Sequence, residues 1–159
     1  MINCTFENGD RVPLRHVTVD AIVTKGNKIL LVKRSAKIPE GGKWGVPGGF
    51  MERDETTAQA IAREILEETG WQVKNLTLLR INDNPNRRGE DRQNVDFVYF
   101  CEAVEQTGEP DWETDEVRWF DWDDLPGPDE IAFDHLENIK LYQEYIQNKV
   151  QLPFVGQLK

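Results

Sequence analysis

Residues 49–71 read GFMERDETTAQAIAREILEETGW, and the middle of that stretch decides the fold because it has a helical period where its flanks do not. Ala58, Ile61, Ala62, Ile65 and Thr69 recur at i, i+3, i+4 and i+7 spacing, which places them on one stripe of a helix. Thr56 with Gln59 three residues on fits a capping box, and Gly70 stands where a C′ glycine ends a helix, so the spacing predicts a helix over 56–69.

Upstream, residues 37–49 contain Pro39, Gly41, Gly42, Gly45, Pro47, Gly48 and Gly49, which exclude a long regular element and leave an ordered loop or a very short strand around Trp44-Gly45-Val46. Before that loop, residues 17–23 and 29–32 read as strands joined by a hairpin turn at Lys25-Gly26-Asn27-Lys28. Downstream, strands are predicted over 73–81, 95–104 and 117–122, the first two joined by a polar loop over 82–94, and a second helix runs from about Phe133 to Gln147. Strands, a helix, more strands and a closing helix do not alternate as βαβαβ. The class is therefore α+β, a mixed sheet with helices packed on it, and a Rossmann arrangement is not indicated. With no repeat, low-complexity tract or linker, residues 1–159 read as one domain.

The 29 acids against 19 Lys and Arg give a formal charge of −10, the wrong sign for gripping nucleic acid or an anionic membrane through the overall field. No apolar run approaches the roughly 18 residues of a membrane helix, and the first residues lack a signal-peptide pattern, so a cytoplasmic location is expected. Cys4 and Cys101 form no CxxC pair and read as reduced thiols.

The acids cluster. Glu64, Glu67 and Glu68 fall within an arc of about 100° on the predicted helix. Acids at i, i+4 and near a helix C-terminus are each unfavourable by a few tenths of a kcal/mol or more, roughly 0.2–1 kcal/mol, so a cation is expected to compensate. An all-carboxylate set suits Mg²⁺ or Mn²⁺. A solvated acidic helix face is the bland alternative; Gly48-Gly49 weigh against it, because they permit a backbone path close to an ion or phosphate.

Gly49, five residues, Glu55, seven residues, Arg63-Glu64-Ile65, one residue, Glu67-Glu68, one residue, Gly70 and Trp71 together resemble the Nudix box. Trp71 departs softly from the aliphatic residue usual there. Trp44-Gly45-Val46-Pro47-Gly48-Gly49-Phe50 is also similar to the strand and loop that precede the box in that family. The resemblance implies an α/β/α sandwich with a mixed sheet between helices. It further implies Mg²⁺-dependent attack of water on a nucleoside diphosphate linked to another group.

Carried over to this chain, the resemblance makes Glu64, Glu67 and Glu68 the metal ligands, with the Gly48 carbonyl beside them. Glu55 and Arg63 become an ion pair tying loop to helix, and Gly49 and Gly70 structural glycines. The family takes its general base from a box glutamate, here Glu64 or Glu67, or from a later loop. On that loop Glu116 is preferred to Glu113 and Asp115 because it abuts a predicted strand. Arg87, Arg88 and Arg92 are candidate phosphate contacts, suited to bidentate binding. Among Trp44, Trp112, Trp119 and Trp122, Trp44 is preferred as a base-stacking residue, together with Phe50. Asp134 is expected to cap the closing helix and His135 to pack inside.

ADP-ribose or a similar nucleotide sugar is the first expected substrate. A nucleoside triphosphate pyrophosphohydrolase is the alternative, and a nucleotide sensor a more distant one. The only expected partner is a small nucleotide, and an exposed sheet edge or the closing helix leaves room for a homodimer.

Overall fold

Alternating apolar residues in the second strand pair set up a sheet with two buried faces. The computed structural model describes residues 2–89 and 92–155; Glu90 and Asp91 of the arginine-bearing loop lie outside them. In chain order the elements are β1 (Ile2–Thr5), β2 (Arg11–Leu14), β3 (Val17–Lys25), β4 (Lys28–Arg34), β5 (Trp44–Gly45), β6 (Gly48–Phe50), α1 (Thr57–Thr69), β7 (Trp71–Asn82), β8 (Val95–Gln106), β9 (Thr114–Asp121), α2 (His135–Ile146) and β10 (Phe154–Val155). The sheet runs β10-β7-β8-β3-β4-β5, with β6 on β3 and β9 on β4. β3 pairs with β8 and β10 with β7 in parallel, and the other pairs are antiparallel, so the sheet is mixed.

Period-2 alternation sends Val19, Ala21, Val23, Leu30, Tyr99 and Cys101 to the face covered by Ala60, Ile61 and Ile65 of α1. Ile22, Ile29, Leu31 and Val98 go to the opposite face, covered by Ile139 and Leu141 of α2. The expected α/β/α sandwich is present. No helix among the described residues is long and apolar enough to cross a membrane.

α1 starts as its sequence suggests. Thr56 caps it in a reciprocal box with Gln59, and Gly70 closes it at φ 72°, in the left-handed region. The buried stripe is turned from the expected one: Ala60, Ile61, Ile65, Glu68 and Thr69 are buried, whereas Ala58 and Ala62 are only half-buried. Glu68 therefore lies beneath the helix and not on its rim.

One irregularity creates the cleft. β3 pairs with β4 only over Val23–Lys25, while Thr18–Asp20 pair with Phe50–Gly48 of β6. The two long strands thus diverge, and the glycine-rich segment fills the fork, held by the Ala21 N–H donating to the Pro47 carbonyl at 3.0 Å. A Cβ on Gly48 would lie 2.2 Å from the Val19 carbonyl oxygen, so this pairing needs glycine.

Candidate active site

The fork opens into a cleft of about 470 Å³ lined by β6, the C-terminal half of α1 and the loops around residues 38, 92, 112 and 133. Glu64, Glu67 and Glu68 reach it from α1, and Gly48 and Gly49 form the facing backbone. Glu68 is buried and accepts the Gly48 N–H at 2.9 Å. Burial raises its pKa from 4.5 to about 8, a tendency the Gly48 bond only partly opposes. Burial likewise raises Glu64, whose carboxylate is 14% exposed and packs where a Cβ on Gly49 would come within 2.6 Å.

Arg63 is the cation that the acid cluster requires. Its guanidinium donates to Glu55 at 2.8 and 3.2 Å, to Glu64 at 2.8 Å, to Glu67 at 3.0 Å and to the Phe50 carbonyl at 3.1 Å. Glu55 also accepts the Glu52 N–H at 2.6 Å. Loop and helix are thereby joined around one side chain. Arg63 engages two of the acids and Gly48 the third, and among the described residues no group of three or more His, Cys, Asp or Glu side chains is arranged to hold a metal ion. The donor chemistry nevertheless fits a hard divalent cation. It is all carboxylate, it includes a buried Glu68 with no ion pair among the described residues, and Gly49 leaves the space a side chain would fill.

Several expected site residues stand elsewhere. Trp44 is only 7% exposed; it packs edge-on against Phe120 and bridges to Ile131, so it belongs to the core and not to the cleft. Glu116 lies within β9, which begins at Thr114 and not at 117. It pairs with Arg118 and is absent from the cleft wall, where Asp111, Trp112 and Glu113 stand instead. Arg88 points to Asp129 at 3.7 Å, away from the cleft. Phe50, 41% exposed, does line the cleft, with the Arg92 guanidinium 5.1 Å from its ring centre.

Arg87 touches the cleft but is buried and committed to acids. It donates to Asp134 at 2.6–3.1 Å, lies 3.5 Å from Asp96 and 4.0 Å from Asp20, and Asn82 donates to Asp134 at 2.6 Å. Asp134 makes no side-chain cap on α2, because this pairing takes its oxygens. His135 is buried, as expected: its Nδ1 accepts the Val46 N–H at 3.1 Å, which leaves the ring proton on Nε2, 3.4 Å from Asp20. Burial lowers its pKa to about 4, so it is neutral at pH 7.

Sequence reasoning missed Arg34, Asp20 and Asp96. Arg34 ends β4, bonds the Pro39 carbonyl at 2.9 Å and lines the cleft; burial lowers its pKa while Glu68, Asp20 and Glu113 oppose that shift. A cation terminating an apolar strand just before a glycine-rich loop was the available signal.

Residues 14–143 match the family model described as NUDIX domain. The chain belongs to the Nudix family. The ADP-ribose pyrophosphatase of Methanocaldococcus jannaschii is 38% identical over 129 residues, covering 81% of this chain and 73% of that protein. The crystal structure of a Nudix hydrolase from Nitrosomonas europaea superposes with a TM-score of 0.80 at 28% identity, over 98% of this chain and 86% of that one. The NUDIX domain of Shewanella oneidensis NrtR, complexed with ADP ribose, gives a TM-score of 0.66 at 29% identity over 84% and 89% of the two chains. This protein is thus a Nudix pyrophosphohydrolase, and α1 lies within the matched residues.

Proposed function

We propose that this Nudix enzyme hydrolyses the pyrophosphate bond of a nucleoside diphosphate linked to a sugar, with ADP-ribose as the first substrate, in the presence of Mg²⁺ or Mn²⁺. The observation that carries the reading is the placement of Glu64, Glu67 and Glu68 against the Gly48-Gly49 backbone in a cleft also lined by Arg34 and Arg92. Acids and cations lining one cleft suit a diphosphate approached through a divalent ion. The 38% identity to an ADP-ribose pyrophosphatase supports the substrate.

Glu64, Glu67, Glu68 and the Gly48 carbonyl would hold the ion, which when bound supplies charge neutralisation at the phosphates and lowers the pKa of the attacking water. Arg34 and Arg92 line the cleft and would meet phosphate oxygens. Glu113, on the cleft wall with its backbone N–H bonded to Asp111 at 2.9 Å, is the candidate to take the water's proton, with half-exposed Glu67 second.

The test is a substrate screen with Mg²⁺ and with Mn²⁺, products identified by mass. AMP and ribose 5-phosphate from ADP-ribose are expected. Pyrophosphate from nucleoside triphosphates with no ADP-ribose turnover would establish the alternative reaction.

A further inference from the structure

Four of the five tryptophans pack into rings. Trp44 meets Phe120, Trp71 meets Trp119 and Trp122 meets Tyr142, with centroids 4.9–5.6 Å apart. Trp112 has no ring partner among the described residues, is 64% exposed and stands on the cleft wall. A single exposed apolar residue is ordinary. Its seat is not. The Thr107 and Gly108 N–H groups donate to the Gly70 carbonyl, and the Asp111 N–H donates to the Glu67 carbonyl at 2.9 Å. The Glu113 N–H closes back on the Asp111 carboxylate, and the Glu113 carbonyl accepts the Ser35 N–H at 2.8 Å. The residues on both sides of Trp112 are therefore tied, one to the carboxylate helix and the other to the end of β4.

That seat is also close packed. A Cβ at Gly70 would lie 2.0 Å from the Gly108 carbonyl oxygen, so the helix end and the loop bearing the indole meet backbone to backbone. The backbone that carries the indole is consequently held one residue from a bond to the Glu67 carbonyl. Its neighbours Asp111 and Glu113 are acids that disfavour a phosphate at this spot. What fits is an uncharged flat ring, joined to a diphosphate that extends toward Gly48-Gly49.

We propose that Trp112 is the platform on which the nucleobase of the substrate stacks. This rests on the diphosphate reading of the cleft. It orients the substrate: the base lies at the loop 107–113, the diphosphate crosses the carboxylates, and the linked sugar reaches the polar floor at Thr18 and Asp20, where hydroxyl groups can donate to a carboxylate. Stacking tolerates any base, because every base offers a π-face.

The test compares binding of α,β-methylene-ADP with that of methylenediphosphonate, which has no base, in the presence of Mg²⁺ by calorimetry. In Trp112→Ala the Kd for α,β-methylene-ADP is expected to rise about tenfold, within the range of a lost base–aromatic stack. Methylenediphosphonate binding stays within twofold, and Trp112→Phe restores most of the loss. Indole fluorescence should be quenched by α,β-methylene-ADP in the wild type and much less in Trp112→Phe. Equal Kd values for the nucleotide in wild type and Trp112→Ala would overturn the assignment alone. So would parallel losses for both ligands. If neither ligand binds the wild type, the diphosphate reading fails and takes this assignment with it.

Discussion

Arg87 and Asp134, 47 residues apart, form a buried bidentate pair at 2.6–3.1 Å, with Asp96 and Asp20 within 4.0 Å of the same guanidinium. One cation thus stands among three carboxylates. Truncation to Arg87→Met leaves them uncompensated and is expected to cost about 3–5 kcal/mol in urea unfolding. Adding Asp134→Asn should recover part of that loss. If Arg87 were instead a free phosphate contact, Arg87→Met would raise KM with stability unchanged.

Glu68 sets a pH dependence with a definite sign. Its folded pKa, about 8, lies above the ordinary 4.5, so between those values the folded state keeps a proton that the unfolded chain has released. Its contribution to metal-free stability is therefore full below pH 4.5 and is lost as pH rises toward 8. With Glu68 as a ligand, as proposed, Mg²⁺ would have to displace that proton, so its binding should tighten by up to about tenfold per pH unit from pH 6 to 8. Calorimetry in two buffers of different ionisation enthalpy should show proton release at pH 7, and Glu68→Gln should abolish both the release and turnover.

The two glycines of β6 should separate activity from stability. In Gly49→Ala the new methyl meets the movable Glu64 carboxylate at 2.6 Å, so turnover should drop with little change in Tm. In Gly48→Ala it meets the Val19 carbonyl at 2.2 Å, and strand pairing must shift, at a cost of about 1–3 kcal/mol. Thermal unfolding and ADP-ribose hydrolysis on both variants make the comparison.

For the proton acceptor, Glu113→Gln is expected to lower kcat by about 10²–10⁴-fold. Glu116→Gln, outside the cleft, should leave kcat within twofold. The reverse ranking would return the role to Glu116.

The box helix was legible because its signals are local: a cap, a period and a terminating glycine all lie within fifteen residues of one another. Strand pairs announced themselves similarly through alternation. β6 was hidden because its glycines argue against a strand, and only the close approach of Val19 and Asp20 explains them. β1, β2 and β10 are too short to carry a period. Arg87 read as a phosphate contact because its partner Asp134 is far along the chain and pairing at that distance leaves no pattern. Trp44 and Trp112 are the same residue type near glycines or acids, and only their neighbours, Phe120 for one and an open cleft for the other, assign them.

The divergence of β3 from β4 also has a consequence for the order of assembly. One flank of the fork is β3, whose other edge is held by β8, so that Val17 pairs with Val95 across a long intervening segment. Closing that segment is entropically slow compared with forming a hairpin or a capped helix. A ribosome-bound chain that has not yet emerged beyond β8 can already possess the whole carboxylate helix and still lack catalytic competence. The cleft becomes a late product of folding, and the reactive acids stay unassembled until most of the protein exists.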